Sequence, residues 1–327
     1  MDNSKRHNHQ SKLNAMSEEV LSSLSVIKNK YHSDSISISL LLPTRDRVEH
    51  LNRFCHSLLE NSFSIKNIEI ILYIDSDDLA SQQYVNDYLN ITKLIGPKLT
   101  MGQYNSVCYQ HSIGNIVMLV NDDLIVQTKD WDKLLFDRLA KVSSKVFLAY
   151  PNDGINKGNL CSFPIMTRET CETMVFPFPS IYKRLFIDTH VMDVFIRLNK
   201  IKEKSLIYLE EIEFTHLNLN PHVNNSSSTL RINDDDDIAF LSLRDLRSSQ
   251  FKRLKSFINN EQLPEIETIY TDIDRNSGLF RLFKLFVLQF VFDKELPTYY
   301  RLKYLIKFTG HFFMIKTVIG EHFGKHC

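Results

Sequence analysis

An α/β fold is what the sequence predicts: a mostly parallel sheet flanked by helices, with a helical C-terminal appendage. Three observations carry the prediction. Short continuous apolar runs recur at 36–43, 68–74, 116–120 and 146–150, the pattern of strands buried on both faces. Stretches with apolar residues at helical spacing separate them, so strand and helix alternate as they do in right-handed crossovers. Three of the runs then give way to polar residues at the same end: Pro43 to Arg47, Asp75 to Asp78, and Asn121 to Asp123. Ligands of such sheets bind beyond the carboxyl ends of the strands, so that rim is the expected active-site edge.

Taken in order, residues 1–33 are rich in Asn, Ser, His and Lys and are expected to form a flexible tail, with at most a marginal helix over 16–29. The first strand is stopped by Pro43. Asp46 with Glu49 three positions on makes a capping-box-like start, and Val48, Leu51, Phe54, Cys55, Leu58 and Leu59 follow on one helical face. After the strand at 68–74, Asp77 and Asp78 are read as caps of a helix over about 79–90. A helix from about 103 to 112 precedes the strand at 116–120, and Trp131, Leu134, Leu135 and Leu139 mark the helix beyond it. From 151 to 240 loops dominate, with a helix near 189–200 and a strand pair around 206–214. The aspartate run at 234–237 is expected to be a solvated mobile loop that orders as a lid over bound ligand. Residues 245–327 read as helices. The expected division is a tail at 1–33, a catalytic domain at 34–240 and a basic, aromatic helical region at 241–327.

The 39 basic and 39 acidic residues cancel, but unevenly. Residues 1–32 hold five basic groups against three acidic, 275–327 hold nine against three, and the remainder holds 25 against 33. An acidic body with a basic end implies two jobs. Five scattered cysteines without a CxxC pair argue against a disulfide framework or zinc ribbon and suit a reducing compartment. A polar N-terminus and the absence of a long apolar run give a cytoplasmic expectation, with contact at the inner face of a membrane left open.

Adjacent Asp122 and Asp123 at the end of a buried strand suit a hard divalent cation, Mg²⁺ or Mn²⁺, which takes few carboxylates plus ligand phosphates and neutralises a departing diphosphate. The competing reading is a loop start that caps the next helix. The surroundings point to the former. Leu42-Pro-Thr-Arg45, Tyr73-Ile-Asp75, Gly102-Gln-Tyr-Asn105 and Asn121-Asp-Asp123 occur in that order at the strand ends. In this the chain resembles family-2-like glycosyltransferases of the GT-A (Rossmann-like) fold; the departure is Asn121 where an Asp-x-Asp motif has its first acid. The resemblance covers roughly 36–220. It implies a nucleotide-sugar donor, favourably a UDP-sugar, with Pro43, Thr44, Arg45, Asp75, Gly102, Asn105 and Asp122 on the donor and Asp123 and His216 on the metal. It implies metal-assisted, inverting transfer to a glycan or lipid-linked hydroxyl, as in surface polysaccharide synthesis. Inversion needs a general base, and Asp188 and Asp193 are the candidates, Asp188 favoured; spacing does not separate them. Arg47 reads as a rim ion-pair partner, His190 and His222 as bystanders. A sugar nucleotidyltransferase is disfavoured because the segment 43–47 has no glycine to cradle a triphosphate, while Asn121 leaves room for a non-catalytic nucleotide-sugar binder.

Twelve of the 36 aromatic residues lie in 275–327, several at helical spacing beside Arg281 and Lys284. They are expected to pack on the catalytic domain or on a second subunit as a homo-oligomer, the alternative being a basic amphipathic helix at an anionic membrane surface.

Overall fold

The structure is a computed structural model that describes residues 21–28, 36–201, 204–217, 236–266, 270–271, 273 and 279–323. The apolar runs become the parallel centre of the sheet. β2 (Ile38–Thr44), β3 (Ile68–Asp75), β4 (Asn90–Gly96) and β5 (Ile116–Leu119) stand in the order β4-β3-β2-β5, each parallel to its neighbour. Alternate side chains feed two layers of core, as a period of two requires. Leu40, Leu42, Ile70 and Leu72 join Phe54, Leu58 and Trp131 on one face. Leu41, Ile71 and Tyr73 join Val107, Phe195, Phe240 and Phe290 on the other. Both faces are therefore dry, and burial of each such side chain contributes about 1.5–3 kcal/mol.

The crossovers are α1 (Val48–Asn61) between β2 and β3, the single turn α2 (Leu79–Gln82) before β4, and α3 (Met101–Gln110) before β5. α4 (Trp131–Leu139), α5 (Arg168–Met174) and α6 (Ile187–Asn199) follow, then α7 (Asp236–Ser242), α8 (Arg244–Ile258), α9 (Leu279–Phe286) and α10 (Thr298–Phe323). With β1 (Ser25–Lys28), β6 (Leu124–Val126), β7 (Leu148–Asn152), β8 (Ile165–Thr167) and β9 (Leu206–His216), the nine-stranded sheet runs β1-β4-β3-β2-β5-β8-β7-β9-β6. β1 and β6 join antiparallel at the two edges, and β8 lies antiparallel between β5 and β7.

Several expectations are corrected. The helix over 79–90 shrinks to α2, capped by Asp78 through the Ser81 amide (3.0 Å), and the chain then enters β4, whose Ile91, Thr92 and Ile95 suit a strand. Residues 25–28, inside the expected marginal helix, pair with β4 as an edge strand. β2 continues through Pro43, because its pairing with β5 has ended at Leu41 and the missing N–H interrupts only one side. The strand pair at 206–214 is one strand, β9, which runs parallel to β7, shifts register after Leu209, and continues antiparallel to β6. Asp46 caps nothing; it adopts a left-handed φ of 52° and its amide donates to Asp78 Oδ2 (2.8 Å). Cys55, Cys108, Cys161 and Cys171 are buried and unpaired.

The boundary expected at 240 falls inside α7, and the C-terminal helices share the core of the sheet. Phe290 and Phe308 stack at 5.3 Å and Phe240 and Phe308 at 5.0 Å. A buried ion-pair chain fastens them further. Asp193 of α6 accepts from Arg197 (2.7 Å) and from Arg247 of α8 (2.9 Å), and Arg197 reaches on to Asp293 and Glu295, both at 3.0 Å. The appendage is thus a layer of the same body.

Candidate active site

Because β2 and β5 are parallel neighbours, their carboxyl ends meet, and the turn between β5 and β6 brings Asp122 and Asp123 against the end of β2. Thr44 Oγ1 donates to Asp122 Oδ2 (2.7 Å), and Arg47 Nη1 approaches Asp122 Oδ1 (3.2 Å) and Asp123 Oδ2 (3.5 Å). Burial pushes the Asp122 carboxyl above the ordinary value, against the opposing pull of Thr44 and Arg47. Across the turn His216, the last residue of β9, sets Nε2 3.4 Å from Asp123 Oδ1. The antiparallel pairing of Leu124 with His216 makes that approach, and the His216 ring is stacked on Phe163 with centroids 5.9 Å apart.

One strand over, Asp75 is a fully engaged junction. Its Oδ2 accepts from Arg45 Nη1 (2.5 Å) and its Oδ1 from the Tyr104 hydroxyl (2.6 Å). Arg45 also forks onto Asp77, at 2.7 and 2.8 Å, so Asp77 pairs with an arginine and leaves capping to Asp78. Tyr104 comes from α3, which opens with a capping box of Thr100 and Gln103. Gly102 is required there by close approach: a Cβ would stand 2.0 Å from the Pro179 carbonyl oxygen. Its contribution is the docking of α3 against the segment 179–182.

The opposite part of the site is ordered from a distance. Asp236, in the first turn of α7, accepts the amides of Lys183, Arg184 and Leu185 at 2.8, 2.8 and 2.7 Å. With Asp237 it is buried in a helix, which corrects the expectation of a solvated run and lid; Asp234 and Asp235 lie outside the described residues. The clasped segment leads through Phe186, at a left-handed φ of 70°, into the first turn of α6 and Asp188. Asp188 Oδ1 accepts from the Thr189 amide (2.6 Å) and hydroxyl (3.2 Å). Burial raises its pKa above the ordinary carboxylate range, although the Thr189 amide and the nearby Lys307 of α10 pull the other way.

Asp193, the other candidate base, is not brought to this site. It is wholly buried between Arg197 and Arg247; burial alone would raise its pKa, but the two guanidiniums outweigh that and hold it below the usual value. His190 is likewise internal, as expected of a bystander. Gln250 Nε2 donates to the Phe176 carbonyl (2.7 Å), which fixes its Oε1 as an acceptor, so His190 Nε2 donates to it and Nδ1 takes the Tyr182 hydroxyl. Burial lowers the His190 pKa to about 3. His222 lies outside the described residues.

Together these walls enclose a cleft of about 480 Å³. Of the residues singled out in the sequence, Asn105, Asn121, Asp123, Asp188 and His216 line it. Pro43, Thr44, Arg45, Asp75, Gly102, Asp122 and Asp193 do not; all but the last build the rim behind it. Arg47, expected as a rim ion-pair partner, lines the cleft as well, and so do Asn156, Ser162, Arg184 and Phe186, which no motif marks. Asn156 and Ser162 are held by Asp153 at 2.7 and 2.6 Å, and a loop held by one buried aspartate leaves no local signal in the sequence.

For a divalent cation the donor set is small. Among the described residues no group of three or more His, Cys, Asp or Glu side chains converges. The Asp123 carboxylate and His216 Nε2 do converge, and a carboxylate with one imidazole fits Mn²⁺ better than Mg²⁺ where a bound diphosphate supplies the remaining oxygens. Arg47 already places a positive charge against the same carboxylate.

No protein-family model matches the sequence, and no curated protein matches it. Solved structures similar to it include the mannosyltransferase PcManGT from Pyrobaculum calidifontis in complex with GDP-Man and Mn²⁺ (13% identity, 69% of this chain and 65% of that one, TM-score 0.43). Others are S. aureus TarS (12%, 84% and 54%, TM-score 0.47) and its fragment 1–349 in complex with UDP-GlcNAc (11%, 84% and 89%, TM-score 0.42). The chain spans less than two thirds of the first two. No functional statement follows from likeness of this degree.

Proposed function

We propose that this chain is a nucleotide-sugar-dependent glycosyltransferase that moves a sugar to a hydroxyl acceptor in one inverting step. The observation that supports it is a single cleft, beyond the carboxyl ends of parallel strands, lined by Asp123 and His216 together with Asp188. In this reading the ionised Asp188 takes the proton of the acceptor hydroxyl as that oxygen bonds to the anomeric carbon. The bond from that carbon to the diphosphate breaks on the other face, and its electron pair leaves with the diphosphate. A carboxylate raised by burial is a better base near neutrality than an ordinary one. Asp123 and His216 hold Mn²⁺ or Mg²⁺, which when bound neutralises charge on the leaving diphosphate. Arg47 adds a preorganised positive charge at the same wall. Thr44 and Asp122 fix the height of Arg47, and Arg45, Asp75 and Tyr104 brace the strand end beside the nucleoside. A UDP-sugar is the favoured donor, and a glycan or lipid-linked hydroxyl in polysaccharide assembly the acceptor.

The test is release of nucleoside diphosphate from a panel of UDP-, GDP-, CDP- and dTDP-sugars with Mn²⁺ present. One donor should be turned over, and Asp188→Asn should lower that turnover about 10²–10⁴-fold. Release from none of them, or release untouched by Asp188→Asn, contradicts the reading.

A further inference from the structure

The C-terminal helices pack one face inward and present another to solvent. Phe286 and Phe290 with Tyr304 and Phe308 are buried in the core. On the outer side, Phe280 (82% exposed), Leu288 (54%) and Phe292 (65%) recur along α9 and the wide turn Val287–Val291 that extends it. Leu302 (58%) and Ile306 (64%) recur along α10. Surface helices of a globular protein put polar residues there, so these apolar stripes need a partner.

Charge says which. Lys284 and Lys294 are exposed and Lys303 is half-buried. Of the three acids in 275–327, Asp293 is buried against Arg197 and Arg244, and Glu295 is engaged by Arg197. The apolar stripes are therefore edged by lysines, while the neighbouring acids Asp293 and Glu295 are engaged by arginines. A second copy placed symmetrically on this face would set the lysines of one against those of the other, whereas an anionic lipid surface complements them. Among the described residues no helix is long and apolar enough to cross a membrane.

We propose that α9 and α10 dock this protein on an anionic lipid leaflet, with Phe280, Phe292, Leu302 and Ile306 in the interfacial zone and Lys284, Lys294 and Lys303 on the headgroups. The inward face of α10 borders the cleft. Phe308 stacks on the cleft residue Phe186 at 5.6 Å, and Lys307 Nζ lies 5.3 Å from the centre of the same ring. Docking would thus hold the Asp188 side of the cleft close to the headgroups, where a lipid-linked acceptor presents its hydroxyl. That last step rests on the transferase reading; the docking does not.

Flotation of the full chain with vesicles, without nucleotide sugar, tests it. Phosphatidylcholine vesicles doped with phosphatidylglycerol should carry the protein and pure phosphatidylcholine vesicles should not. Each of Lys284→Gln, Lys294→Gln and Lys303→Gln should weaken binding about fivefold, and added salt should weaken it further. Phe292→Ser with Ile306→Ser should abolish it at an unchanged unfolding midpoint. Failure to float with anionic vesicles, or equal binding to both kinds, overturns the proposal. So does a concentration-dependent dimer that the Phe292→Ser, Ile306→Ser pair dissociates in the absence of any vesicle binding.

Discussion

Two aspartates five positions apart on α6 show how far burial alone is from deciding a carboxylate's job. Asp188, in the first turn, meets one amide, one hydroxyl and the charge of Lys307, and burial wins: its pKa is raised. Asp193, in the middle of the helix, meets two guanidiniums and they win: its pKa is lowered. A raised carboxylate on a cleft is ready to take a proton, whereas a lowered one between arginines is ready only to hold them. The partner charge, not the depth, separates the proposed base from the bolt.

The sharpest way to break this comparison is to neutralise each in turn. Asp188→Asn should cost the full 10²–10⁴-fold in transfer and leave the unfolding midpoint near that of the parent. Asp193→Ala should strand Arg197 and Arg247 and destabilise the protein by about 3–5 kcal/mol, seen in denaturant unfolding. If Asp193→Ala folded as stably as the parent and lost only turnover, the two roles would have to be exchanged.

Next in size is Asp236→Ala. It leaves the Lys183, Arg184 and Leu185 amides without their acceptor; at about 1–3 kcal/mol for a buried group left unsatisfied, a loss of about 2 kcal/mol is expected once water reaches some of them. Because that segment carries Asp188, turnover should fall by more than stability explains. Equal nucleoside diphosphate binding with reduced turnover is the signature, and a change in binding alone would speak against it.

The two aspartates should also respond to pH with opposite signs. A carboxyl raised in the fold favours the protonated form, so the stability linked to Asp188 is present below the ordinary value of about 3.9 and lost as pH rises through its folded value. Asp188→Asn should therefore be slightly stabilising at neutral pH. The stability linked to Asp193 is present above about 3.9 and is lost as pH falls through its lowered value; Asp193→Asn should be destabilising at neutral pH and less so in acid. Unfolding midpoints of the two variants from neutral to acidic pH read both signs.

The smallest effect concerns Arg47, which shares Asp123 with the proposed cation. Its side chain is 46% exposed, so only a screened repulsion is removed, and Arg47→Gln should tighten Mn²⁺ binding about fivefold by paramagnetic resonance titration.

What could be read from the sequence follows from how local each signal is. The central strands were legible because burial on both faces forces an unbroken apolar run, and their parallel order brings Thr44 and Asp122 together as the rim pattern implied. β4 was not, since Lys93 interrupts its apolar residues and its pairing with β3 on one side and β1 on the other makes it a strand. The segment 206–214 is expected to be a strand pair, but β9 shifts register between Leu209 and Glu213 without reversing. The aspartate run at 234–237 read as solvated, because nothing local shows that three amides some fifty residues earlier need an acceptor. The Asp188 and Asp193 ambiguity has the same origin: Arg247, which settles Asp193 as internal, comes from another helix.

The most direct measurement is calorimetric binding of UDP and GDP to the full chain, with and without Mn²⁺, for the parent and for Asp123→Asn. The account predicts that one nucleotide binds in a Mn²⁺-dependent manner and that Asp123→Asn weakens it at least about tenfold, the loss of one charge-assisted ligand. Binding of the same strength without the metal, or binding that Asp123→Asn leaves unchanged, would contradict it.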